Sequence, residues 1–168
     1  MNLFTSGKER TALCFDKVTL KQDKDGNKSA KMRFAVRLEP DSVFRSSPPW
    51  IQAAYELIET RDNCASYVKL ERDIRGVNVE LYSLPESKSP CMAFSAVELT
   101  KLAVERTDKR SAPHLLFTIE VSLEEKSKLR YWIVDAVFSQ LWATFQAAQT
   151  SFIPTQDWDE EKQEKRPN

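Results

Sequence analysis

Residues 30–38 (Ala-Lys-Met-Arg-Phe-Ala-Val-Arg-Leu) alternate strictly. Met32, Phe34, Val36 and Leu38 fall on one face, and Lys31, Arg33, Ala35 and Arg37 on the other. A period of two is the side-chain period of a strand, so this run predicts a strand with one buried face. Residues 12–21 (Ala-Leu-Cys-Phe-Asp-Lys-Val-Thr-Leu-Lys) read as its partner across Gln22–Ser29. Asp25-Gly26 and Gly26-Asn27 are both hairpin turn signals. Alternation in 12–21 is less clean, which fits a bulge in that strand.

Pro40, Pro48 and Pro49 with several serines make 40–49 a loop. Ser47 fits an N-cap with Pro48 or Pro49 at the first helical position. Trp50, Ile51, Ala54, Tyr55 and Ile58 then recur at helical spacing and predict a short helix. A second hairpin is expected from Ala65 to Tyr82, turning at Asp73-Ile74-Arg75-Gly76. Within it Val77, Val79 and Leu81 alternate with Asn78, Glu80 and Tyr82. Residues 91–106 are ambiguous, because Ser95-Ala96-Val97-Glu98 fits a capping box. The same stretch can pair as a strand with 114–121, and the preference for pairing between sequence neighbours favours strand over about 97–105. From Trp132 to Gln149 there is neither Gly nor Pro. At 100° per residue Val134, Val137, Phe138, Leu141, Phe145 and Ala148 form one apolar arc, with Asp135, Ser139, Gln146 and Gln149 opposite. This predicts a long C-terminal helix packed on the sheet. Pro154 ends the expected globule, and 155–168 reads as a polar, flexible tail.

The expected architecture is therefore a single α+β domain over residues 1–154. It has a mainly antiparallel β-sheet of about five or six strands, a short helix after the first hairpin, and the long C-terminal helix. The 168 residues are 41% hydrophobic and 30% charged, enough apolar content for a core and too much for a disordered chain. No stretch of about 18 apolar residues occurs, so no membrane span is expected. The first ten residues carry no apolar h-region, and Cys14, Cys64 and Cys91 are odd in number and widely spaced. The expected compartment is thus the cytoplasm, with reduced thiols.

Catalytic signatures are few. Gly7, Gly26 and Gly76 are scattered, so no phosphate-cradling loop or dinucleotide fingerprint is present. His114 is the sole histidine, which removes multi-histidine metal sites, and it reads as a turn-edge residue. Asp23-Lys24-Asp25-Gly26-Asn27 has the look of a calcium loop but places Lys28 and Phe34 where that loop needs Gly and Glu. Glu124-Glu125 and Asp159-Glu160-Glu161 sit in polar contexts. No catalytic residue, metal or cofactor is expected, and an enzyme is disfavoured.

Charge points elsewhere. Residues 1–40 hold nine Lys or Arg against five Asp or Glu, a net of +4, so 41–168 carry −4. Lys31, Arg33 and Arg37 share one strand face, and Lys17 and Lys21 can share one on the partner, with Lys24 and Lys28 in the turn. A basic ribbon suits a phosphate backbone, and single-stranded nucleic acid also needs aromatic faces for its bases. Among Phe15, Phe44, Trp50, Tyr67 and Tyr82, the last two are the favoured stacking residues, since Phe15 and Trp50 fit a core. The expected function is a binding protein for single-stranded DNA or RNA through Lys17, Lys21, Lys31, Arg33, Arg37, Tyr67 and Tyr82. A solvated, aggregation-suppressing strand face accounts for the same charges. The alternative function is an interaction or homo-oligomeric module, with Trp142 on the last helix as an anchor.

Overall fold

The computed structural model describes residues 10–41, 47–59, 66–107, 111–123 and 128–147. Phe44, Cys64, Glu124-Glu125 and the expected tail 155–168 lie outside them. The elements are β1 (Thr11–Gln22), β2 (Lys28–Arg37), α1 (Pro49–Glu59), β3 (Tyr67–Lys69), β4 (Ile74–Tyr82), β5 (Met92–Glu105), β6 (His114–Leu123), α2 (Lys128–Ala136) and β7 (Gln140–Ala147).

The first hairpin forms as its pattern requires. Ala30, Met32, Phe34 and Val36 are buried, and Lys31, Arg33 and Arg37 face outward. Gly26 sits at φ +86°, a conformation with no Cβ penalty for glycine alone. Asp23 fixes the turn by accepting hydrogen bonds from the amides of Asp25 (2.9 Å) and Asn27 (2.8 Å). Register slips between Phe15 and Lys17, which is the bulge that the broken alternation implies.

All strand pairings are antiparallel, in the order β3-β5-β4-β7-β1-β2-β6, and β6 returns to pair with β5. Strands β5, β4, β7, β1, β2 and β6 therefore close into a six-membered ring, which removes the open edges of a sheet. β3 and β4 lie end to end along the same edge of β5, since Tyr67 pairs with Glu105 and Leu81 with Met92 while β6 takes the other edge. β5 bends twice to make this possible. Ala96 (φ +50°) and Lys101 (φ +52°) each stand at one of the three register shifts in its pairings, and the Asn78 side chain accepts from the Ala96 amide at 2.9 Å. The ring interior is filled by side chains. Phe15 stacks on Phe34 (4.9 Å) and on Trp132 (5.6 Å), and Phe34 stacks on Phe117 (5.5 Å), which meets Phe145 edge-on (5.7 Å). α1 packs on β3 and β5 through Ile51, Ala54, Tyr55 and Ile58. Its last residue, Glu59, forms an ion pair with Arg106 just beyond β5.

Three expectations need correction. The sheet has seven strands rather than five or six. Residues 67–82 do not form a hairpin; β3 and β4 each pair with β5, and Asp73–Gly76 leads into β4 rather than turning between partners. The long C-terminal helix is absent. α2 ends at Ala136, Phe138 reverses the chain at φ +66°, and β7 follows. The reversal is locked to β1: Phe138 donates its amide to the Phe15 carbonyl (2.7 Å), and Phe15 donates to the Ser139 carbonyl (3.0 Å). Leu141, Ala143 and Phe145 also alternate, and the ring interior rewards that period of two over the helical arc. A left-handed backbone costs a side-chain-bearing residue about 1–2 kcal/mol, and the Phe138 ring is 79% exposed, so little burial offsets the strain. Phe138→Gly is expected to raise the unfolding free energy by about 0.5–1 kcal/mol after the entropy cost of glycine, as read from urea denaturation.

Candidate functional site

The basic ribbon exists, but much of its charge is answered locally. Lys31 meets Glu120 of the adjoining β6 at 2.7 Å, and Arg37 meets Glu39 at 2.6 Å. Arg33 pairs with Asp16, the residue set apart by the β1 bulge. Alternation from the buried Leu13 and Phe15 already puts Asp16 on the outer face, and the bulge sets Lys17 there beside it. Lys17 stands opposite Arg33, and Lys21 opposite Ser29; neither makes an ion pair with a described residue. The Lys31 ammonium holds the Glu120 carboxyl below the usual carboxylate range, aided by a hydrogen bond from Ser29 (3.1 Å), while partial burial opposes the shift.

The two stacking tyrosines are not beside the ribbon. Tyr67 is half exposed on β3, in a cross-strand row that runs from Arg37 through His114 and Glu105. Three strand spacings, about 14 Å measured along the sheet, separate it from Arg37. Tyr82 is 7% exposed and committed elsewhere. Its hydroxyl donates to Glu80 at 2.7 Å, a bond that with burial raises its pKa, and the Arg10 guanidinium covers its ring at 3.6 Å. Arg10 in turn donates to the carbonyls of Leu84, Pro85 and Ser87, fastening that loop to the start of β1. Phe15 is fully buried, and Trp50 packs against the core, as their spacing implies. Trp142 lies on β7 rather than on a helix, between Ala12 and Tyr82, and is half-buried. Among the described residues no group of three or more His, Cys, Asp or Glu is placed to hold a metal ion, and no helix is long and apolar enough to cross a membrane.

A different surface stands out. α2 buries Leu129, Ile133 and Ala136 and leaves Tyr131 and Val134 about three-quarters exposed on its other side, with Phe138 just beyond. Beside it, β1 runs past its contact with β7, and Leu20 is 66% exposed. Leu20, Leu123, Ile133 and Val134 line a groove of about 530 Å³ whose cationic members are Lys21, Lys28 and Arg130. Apolar side chains left in water and ringed by polar groups mark contact sites on soluble proteins. Sequence reasoning missed this site because the helical arc assigned Val134 and Phe138 to the sheet. The strand period of Leu141, Ala143 and Phe145 was the available signal, since it shortens the helix and frees its outer side.

The Glu120 shift has a definite sign. A depressed carboxyl contributes stability above its unfolded value, and that contribution is lost as pH falls through the folded value. Glu120→Gln is therefore expected to lower the urea midpoint at neutral pH and to reduce its fall between neutral and acid pH, by a small amount because the carboxylate is 46% exposed. Comparison of this chain with protein-family models, with curated proteins and with solved structures finds no match.

Proposed function

We propose that this chain is a binding protein whose α2 groove takes a peptide segment with an apolar anchor flanked by acidic side chains. The observation that carries the reading is the exposed apolar pair Leu20 and Val134, set in one groove with Lys21, Lys28 and Arg130. The apolar floor supplies affinity by removing surface from water, and the cations select for acids and speed encounter. The probe is a fluorescein-labelled synthetic peptide with a single Trp between two pairs of acidic residues. Anisotropy is expected to show saturable, salt-weakened binding. Val134→Glu, at an exposed position, is expected to weaken it at least about tenfold, or about 1.4 kcal/mol, through like-charge repulsion. Equal binding by the wild type and Val134→Glu would count against the groove.

A second reading, binding of single-stranded DNA or RNA, is favoured by Lys17, Lys21, Lys24 and Lys28, which run along the hairpin, the first two without ion pairs to described residues. Since Arg33 and Arg37 already have acidic partners, the paired substitution Lys17→Ala and Lys21→Ala is the informative one. If this reading holds, the pair weakens binding of a labelled single strand of about 30 nucleotides and lowers its salt slope. No binding at low salt rejects it.

A further inference from the structure

We propose that the groove receives its partner as an added β-strand on the open edge of β1, an extended segment with apolar residues on one face and acids on the other. This rests on reading the groove as a peptide site, and it adds the backbone that holds the segment and the order of its side chains. Two observations lead to it: the edge that β1 leaves unpaired and the two faces that flank that edge.

Closure of the ring does not reach the tip of the first hairpin. β1 pairs with β7 from Thr11 to Cys14, and Phe15 adds its bonds to Phe138 and Ser139. From Lys17 to Gln22 its partner among the described strands is β2 alone. The direction of each backbone group follows from the turn. Asp23 donates its amide to the Asn27 carbonyl at 2.9 Å, toward β2. Successive residues of an antiparallel ladder turn N–H and C=O to opposite sides, so Gln22, Leu20 and Val18 turn theirs away from β2. Such a row of donors and acceptors is a template for another strand.

Side chains along that stretch divide by face. Leu20 stands opposite the buried Ala30, so it shares the inner side, where it lines the groove with Ile133 and Val134. Val18 packs against the core on the same side. Lys17 and Lys21 are on the outer side, exposed and without ion pairs to described residues. A residue paired directly with one on β1 has its side chain on the same face. An incoming strand therefore sets a large apolar side chain beside Leu20, a smaller one beside Val18, and acids beside Lys17 and Lys21. Edge lysines by themselves guard a strand against addition. The exposed Leu20 and Val134 on the other face do not, and the two faces together admit a strand of this pattern over others. A second copy of β1, paired about Thr19, would set Lys17 against Lys21 and is disfavoured by like charge.

Anisotropy of a fluorescein-labelled Glu-Trp-Thr-Val-Glu peptide on the full chain tests this. Antiparallel to β1, it places its Trp opposite Leu20, its Val opposite Val18, and its glutamates opposite Lys21 and Lys17. The amides of its Trp and Val then face β1, and those of its Thr and second Glu face away. N-methylation at Trp and Val is expected to weaken binding at least about tenfold, and N-methylation at Thr and the second Glu less than about twofold. The changes are made on the peptide, so folding of the protein is untouched. Equal affinity of the two methylated peptides would overturn strand addition and leave the groove reading standing, and a larger loss from methylation at Thr and Glu would overturn the antiparallel register. Binding of the acid-flanked tryptophan probe but not of this peptide would also overturn strand addition. Binding of neither would overturn the groove reading itself.

Discussion

The pairing of β5 with β6 is the constraint on which the rest depends, because it turns a sheet into a ring. Closure demands strands that curve, and β5 supplies the curvature at Ala96 and Lys101, both held in left-handed backbone. Each of these costs free energy locally. The return is an enclosed interior in which Phe15, Phe34, Phe117 and Phe145 meet ring against ring. Such an interior is solid with side chains, as a small barrel must be. Ligand chemistry is thereby pushed to the outside, to the hairpin and to α2.

The same closure accounts for what the sequence disclosed and what it hid. The β1–β2 hairpin was legible because its signals are local: strict alternation in one strand, a turn around Gly26, and a flaw at Phe15 that marks the bulge. α1 was legible for the same reason. Strand β5 was recoverable from the tendency of neighbours to pair. The region 132–147 was not legible, because its apolar residues satisfy two periods at once. Val134, Val137, Phe138 and Leu141 fit a helical arc, and Leu141, Ala143 and Phe145 fit a strand. Only the vacancy between β1 and β4 decides between them, and that vacancy is a property of the ring. Likewise no local signal shows that β3 and β4 share an edge of β5 instead of pairing with each other.

The functional surface followed the fold in this respect. A list of outward cations on 17–37 could be read from alternation, but their partners could not. Asp16 meets Arg33 from the neighbouring strand, and Glu120 reaches Lys31 from a strand about ninety residues further along. Tyr82 looked available because alternation puts it outside, yet outside is where Arg10 lies over it. The α2 groove is made from β1, β2, β6 and α2 together, so no single stretch of sequence carries its signature.

The place of β7 has a bearing on how the chain comes off the ribosome. This strand, last in sequence among the described elements, inserts between β1 and β4. Until it is made, both neighbours present bare backbone, and the aromatic interior lacks Leu141, Ala143 and Phe145. Synthesis proceeds from the N-terminus at about 5–20 residues per second, so the eight residues of β7 take about 0.4–1.6 s to add, during which β1 and β4 remain two unpaired edges. The final eight-residue strand acts as a keystone, and the nascent chain is most exposed to mispairing in the interval just before it emerges.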